Sequence, residues 1–219
     1  MKNVIVSPSI LVCDFLHLEN ELEKIRDAGC TWVHLDVMDG HFVPNLSFGN
    51  LFFEKLFTKI NFTKDVHLMV NDPMSFVKKF AKIGADYLTF HYEACKDDDE
   101  VEAVIKEIHK YKMKAGLSIK PGTPVEKIYR FLTKLDLVLI MSVEPGLGGQ
   151  KFIPETLDKI SALIAEIVEV RSQALISVDG GINDVTGKDC LNMGADVLVA
   201  GNYLFSAPNF KERYDSLFK

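Results

Sequence analysis

Eight short runs of aliphatic and β-branched residues recur along the chain, most of them trailed by a longer stretch with helical spacing, and this alternation limits the fold more than any other feature. The runs lie at 4–9, 31–36, 63–70, 86–91, 114–119, 137–143, 174–179 and 196–201. Between them, segments such as 15–28 and 155–169 carry apolar residues three and four apart, as in Leu157, Ile160, Leu163, Ile164 and Ile167, the signature of a helix with one buried face. Glycine closes several of these helices just before a strand, in "AGC" at 28–30 and "GAD" at 84–86 and 194–196. Strand-then-helix repetition predicts a parallel sheet covered by helices. Eight units in 219 residues predict a closed (β/α)8 barrel, slightly under the roughly 250-residue typical size. An open doubly wound sheet is the other architecture compatible with the alternation. No linker or low-complexity segment interrupts the pattern, so a single domain over 1–219 is expected.

In either architecture the functional side chains gather at the C-terminal ends of the strands. The polar residues there are Ser7 and Ser9, His34 and Asp36, His67, His91 and Asp179. His34 and Asp36 are two apart and share a strand face, which in a barrel is the interior. A buried charge in such a place is costly unless compensated. Adding His67 from the next strand and Asp179 from across the barrel gives two imidazoles and two carboxylates, a set suited to one divalent zinc, manganese, iron(II) or cobalt ion. His91 is expected beside this set; His41, past Gly40, packs its loop or supports the site, and His17 and His109 fall on helical patterns as surface residues.

Glycines form a second constellation. "VEPGLGGQKF" (143–152) follows the sixth strand, "DGGIN" (179–183) the seventh, and "AGN" (200–202) the eighth. Each alone reads as a tight turn, but three clusters on neighbouring strands suit an anion held by backbone N–H groups. "PGLGGQKF" does not have the spacing of a nucleotide-hydrolysing P-loop.

Composition removes other classes. A formal charge of −6 with no lysine-rich run gives no footprint for nucleic acid or an anionic membrane. No apolar run is long enough to span a bilayer, and a cytoplasmic location is expected. The four cysteines, Cys13, Cys30, Cys95 and Cys190, form no C-x-x-C pair, so reduced thiols are expected. "KDDDE" (96–100) reads as the solvated start of a helix.

"SPSIL" (7–11), "HLDVMDGHFVPNLSFG" (34–49), "DVHLMV" (65–70), "GADYLTFHYEA" (84–94), "MSVEPGLGGQKF" (141–152), "VDGGIN" (178–183) and "GADVLVAG" (194–201) together resemble the ribulose-phosphate 3-epimerase family over almost the whole chain. The resemblance implies a TIM barrel of the ribulose-phosphate-binding type, interconverting D-ribulose 5-phosphate and D-xylulose 5-phosphate in the pentose phosphate pathway with one divalent metal ion per subunit. It implies His34, Asp36, His67 and Asp179 as ligands, with Asp36 and Asp179 doubling as the acid/base pair. It further implies Ser9 and His67 as substrate contacts and Met38, Met69 and Met141 as a thioether wall. Phosphate contacts map to Gly146, Gly148, Gly149, Gly180, Gly181, Gly201 and Asn202, and a homo-oligomer, dimer or hexamer, is implied as well. Two positions depart from the family pattern: Asn202 stands where a serine is usual, and Leu147 where phenylalanine is frequent.

The residue types fit the chemistry. Inverting C3 of a 2-ketose needs acid/base groups on both faces of the substrate, and the charge of a 2,3-enediolate is stabilised by a metal. The methionines exclude water without adding competing donors. Alternatives on this scaffold are a D-allulose 6-phosphate 3-epimerase, a non-catalytic sugar-phosphate or metal sensor, and a decarboxylase or lyase. The last calls for a strand-end lysine, which neither Lys64 nor Lys120 supplies.

Overall fold

Each apolar run forms one strand in the computed structural model, which describes residues 4–218; the extreme ends of the expected 1–219 domain lie outside the described residues. The strands are β1 (Ile5–Pro8), β2 (Trp32–Met38), β3 (Thr63–Met69), β4 (Tyr87–His91), β5 (Lys114–Ile119), β6 (Leu137–Met141), β7 (Leu175–Asp179) and β8 (Val197–Ala200). All pair in parallel in the order β1-β8-β7-β6-β5-β4-β3-β2. The seam between β1 and β2 carries an isolated parallel bridge from Ser9 to His34. This is the expected barrel, and the open doubly wound sheet is set aside. The helices are α1 (Leu18–Asp27), α2 (Asn50–Phe57), α3 (Met74–Ile83), α4 (Asp98–Lys110), α5 (Thr156–Glu169), α6 (Asp184–Met193), α7 (Asn202–Phe205) and α8 (Phe210–Ser216).

The core has two layers because strand side chains alternate. Along β2, Val33, Leu35 and Val37 join the layer under the helices with Phe53, Phe80 and Ile25. Trp32 faces the barrel interior with Leu137, Leu139, Met141, Val197 and Val199. All seven β2 residues are buried, and the strand runs two residues beyond its expected end, which adds Met38 to the face of His34 and Asp36. Phe53 and Phe57 belong to the core, while half-buried Phe52 stacks on Phe48.

One expected element changes locally. The helix expected over 15–28 begins as a 3-10 turn, Phe15–His17, capped by the Asp14 carboxylate, and becomes α-helical only at Leu18. Between β5 and β6 the connecting helix, Val125–Lys134, is 3-10. Its buried Val125, Ile128 and Phe131 recur every third residue, the period of a 3-10 helix. The glycine stops behave as expected, with Gly84 and Gly194 left-handed at the ends of α3 and α6. "KDDDE" opens α4, with Asp97 capping Glu100 N–H.

Gly116 on β5 makes room inside the barrel. A Cβ there would overlap Thr89 Oγ1 and stand 2.9 Å from Thr89 Cβ. Gly116→Ala therefore overpacks a rigid interior and is expected to lower Tm by roughly 5 °C; a thermal melt matching wild type would contradict this account.

Candidate active site and metal centre

β2, β3 and β7 deliver four side chains to one point. His34, Asp36, His67 and Asp179 each offer a ligand atom, all within 4.8 Å of one another. His34 Nε2 lies 3.4 Å from Asp36 Oδ1 and 3.9 Å from Asp179 Oδ2. His67 Nδ1 lies 3.2 Å from Asp36 Oδ1 and 4.0 Å from Asp179 Oδ2. His34 and His67 are fully buried, Asp36 nearly so, and Asp179 keeps a side exposed to the cavity above.

Each histidine is held from behind. His34 Nδ1 donates to the buried Asp65 carboxylate at 2.7 Å, which turns its Nε2 toward the cluster. His67 Nε2 is 2.8 Å from His91 Nε2, and His91 Nδ1 is 3.2 Å from Glu93 Oε2. Ser9 Oγ donates to Asp36 Oδ2 at 2.7 Å. His34 Nε2 itself is buried with no hydrogen-bond partner, an arrangement that is costly in a native core. A divalent cation would satisfy it: two imidazole nitrogens and two carboxylates are borderline-to-hard donors, and separations of this size suit ligands about 2.0–2.2 Å from one ion.

The charges are poised against one another. Burial would raise the Asp36 carboxyl, but the His34 cation and the neighbouring His67 ring outweigh it and hold Asp36 well below the usual carboxylate range. Burial pushes Asp179 up to about 6, Asp36 adding to the rise while His34 and His67 oppose it. At His34 burial favours the neutral ring, but Asp65 and Asp36 outweigh it and hold the proton well above the histidine range. A divalent cation held at this point would take the place of that proton. His91, by contrast, is pushed down to about 4, chiefly by burial.

The cluster forms the floor of a cavity of about 420 Å³. Ser9, Asp36, Met38, Met69, Met141 and Asp179 line its lower part. Gly146, Gly148, Gly149, Gly180, Gly181, Gly201 and Asn202 line the upper part. Every residue expected at the site from sequence lines this cavity except His34 and His67, which stand behind it. Ser142 pins the β7 turn, its Oγ donating to Gly180 O at 2.6 Å and its N–H to Asp179 O at 2.8 Å. Gly181, at φ +63°, leaves no room for a side chain: a Cβ would stand 2.5 Å from Phe152 N and 2.9 Å from its Cα. Asn202 turns its amide Nδ2 into the space a Gly149 Cβ would need.

Other expectations resolve one by one. His91 touches a ligand candidate, as anticipated. His41 is exposed and turns Nδ1 to Asp39 O at 2.9 Å, so it packs its own loop. His17 and His109 are exposed and paired with Asp14 and Asp136. Lys64 lies 3.4 Å from Asp86, and Lys120 sits over the Phe42 ring; neither lines the cavity. Sequence reasoning missed Asp65, Glu93 and Ser142. Asp65 was within reach, being two residues before His67 on the same strand face; Glu93 and Ser142 carry no such signal, because each acts across a loop.

The comparisons agree with this geometry. Residues 5–205 match the Ribulose-phosphate 3 epimerase family. A ribulose-phosphate 3-epimerase of Synechocystis sp. is 42% identical over 211 residues, covering 96% of this chain and 91% of the relative. That of Treponema pallidum is 44% identical over 207 residues, covering 94% and 93%. In fold, the chain is similar to 3-hexulose-6-phosphate synthase from Salmonella typhimurium, with a TM-score of 0.66 at 19% identity over 99% of this chain and 96% of that one. Match length and identity together make this chain an enzyme that belongs to the ribulose-phosphate 3-epimerase family.

Proposed function

We propose that this enzyme interconverts D-ribulose 5-phosphate and D-xylulose 5-phosphate, with Asp36 and Asp179 exchanging the C3 proton on opposite faces of the sugar. The observation that carries the reading is a pair of carboxyls in one cavity whose proton affinities are driven apart: Asp36 held well below the usual range, Asp179 raised to about 6. Asp179 holds a proton more readily than Asp36, the pattern expected of an acid and a base sharing a site. The ionised carboxylate takes the C3 proton, a 2,3-enediolate follows, and the protonated carboxyl returns a proton to the other face. After turnover the two have swapped protonation, which readies the site for the reverse reaction.

His34, Asp36, His67 and Asp179 would hold a divalent cation, which supplies electrostatic stabilisation of the charge developing on the C2 and C3 oxygens. Ser9 keeps Asp36 oriented through its 2.7 Å hydrogen bond. Met38, Met69 and Met141, each no more than 6% exposed, form a wall beside the carboxyls that keeps water out. The glycine turns after β6, β7 and β8, with Asn202, would bind the substrate phosphate, anchoring the sugar far from C3 so that it arrives oriented.

Proton NMR of D-ribulose 5-phosphate in D2O, with enzyme loaded in turn with zinc, manganese, iron(II) or cobalt, tests this. The expected result is D-xylulose 5-phosphate carrying solvent deuterium at C3, lost on chelation and restored by metal. Absence of both product and exchange with every metal would remove the five-carbon assignment and bring D-allulose 6-phosphate forward as the next substrate to assay.

A further inference from the structure

Behind His67 runs a buried file of polar groups whose hydrogen-bond directions are set from its far end. Glu93, in the turn after β4, points one carboxylate oxygen, Oε2, at His91 Nδ1 at 3.2 Å. Its other oxygen, Oε1, accepts from Lys120 N–H at 2.8 Å and from the Thr123 hydroxyl, both in the loop after β5. His91 Nε2 then meets His67 Nε2 at 2.8 Å. His67 and His91 are completely buried, so water does not break the file.

We propose that Glu93 is a positioning residue for the metal centre, selecting the tautomer of His67 through His91. This role of Glu93 rests on the metal-binding reading above. An ionised carboxylate only accepts, so His91 carries its proton on Nδ1. A neutral imidazole has one N–H, which leaves His91 Nε2 as an acceptor. His67 Nε2 must then be the donor, and His67 Nδ1 presents its lone pair to Asp36 Oδ1, 3.2 Å away. Two acceptors face each other there, and a cation between them relieves the conflict. His34 reaches the same state through Asp65 directly. His67 reaches it through an intervening imidazole, so its polarity depends on a carboxylate two hydrogen bonds away.

Glu93→Gln is a discriminating substitution because its amide can sit only one way. Lys120 N–H cannot accept, so the carbonyl of the new amide must face it and the amide NH2 must face His91. His91 then carries its proton on Nε2 and donates to His67 Nε2, which moves the His67 proton to Nδ1 and into the metal position. Cobalt(II) titration of the full chain against a competing chelator should show binding about 10–100-fold weaker in E93Q than in wild type. Thr123→Val, which removes one donor to Glu93 and leaves the polarity unchanged, should stay within about threefold. Histidine nitrogen NMR should place the His91 proton on Nδ1 in wild type and on Nε2 in E93Q.

Equal cobalt affinity in E93Q and wild type would overturn the proposal, as would a loss in T123V as large as that in E93Q, which marks a purely structural role. A wild-type His91 protonated on Nε2 would overturn it too, and that measurement stands even if E93Q does not fold. Wild type that binds no cobalt would overturn the metal centre itself, a result separate from the failure of this inference alone.

Discussion

Asp36→Asn and Asp179→Asn are each expected to lower kcat by about 10²–10⁴-fold, the range carried by a positioned acid or base, with the barrel intact. Asparagine keeps the shape of each side chain but removes its ability to exchange a proton. The two variants differ in stability. A carboxyl whose folded value is raised destabilises the native state above that value and stops doing so below the unfolded value. Asp179 is raised to about 6 by burial. Metal-free Asp179→Asn should therefore melt several degrees higher than metal-free wild type at pH 8, and the difference should close as pH falls toward 4. Asp36 is the opposite case, held low against burial by the His34 cation. Its carboxylate stabilises the metal-free fold above the unfolded value and loses that effect as pH falls, so Asp36→Asn should melt lower near neutral pH. Scanning calorimetry across pH checks both signs, and near-wild-type turnover in either variant would defeat the two-carboxylate mechanism.

The second large effect is expected at Gly181. A methyl group there meets Phe152 backbone, with its N at 2.5 Å and Cα at 2.9 Å, in a residue at φ +63°. Neither the backbone nor the dihedral can give, so Gly181→Ala must push the turn after β7 away from the loop after β6. Those are the turns proposed to grip phosphate. A displacement of about 1 Å at a positioning group costs on the order of 10²-fold in rate, so kcat/KM for D-ribulose 5-phosphate should fall about 10²-fold. Activity toward D-ribulose, which lacks the phosphate, should change less than about twofold. An equal loss on both sugars would place the damage at the carboxyls instead and remove the phosphate assignment.

The four-residue cluster was legible because its signals are local. His34 and Asp36 declare a shared face by their spacing, and His67 and Asp179 stand at the ends of strands whose apolar runs are unmistakable. The glycine turns were legible for a similar reason, since each follows its strand immediately. The supports behind them were not. Glu93 reads as one more acidic residue beside a turn until the loop after β5 brings Lys120 N–H and Thr123 to its oxygen. Ser142 reads as the end of a strand, yet it ties the β6 and β7 turns together. Val125–Lys134 reads as helix of some kind, and only packing at every third residue makes it 3-10.

Eight strands alternating with helices, the buried faces and the residue types gathered at one end of the barrel are written in the local sequence pattern. Periodicity and glycine placement encode these directly, because they depend on neighbours within a few positions. Sheet closure at Ser9 and His34, the opposed shifts of Asp36 and Asp179 and the backing of His67 by His91 and Glu93 depend on the folded barrel. Closure, desolvation and hydrogen-bond polarity arise between groups far apart in the chain. They take values only when the barrel brings those groups together in a site largely closed to water.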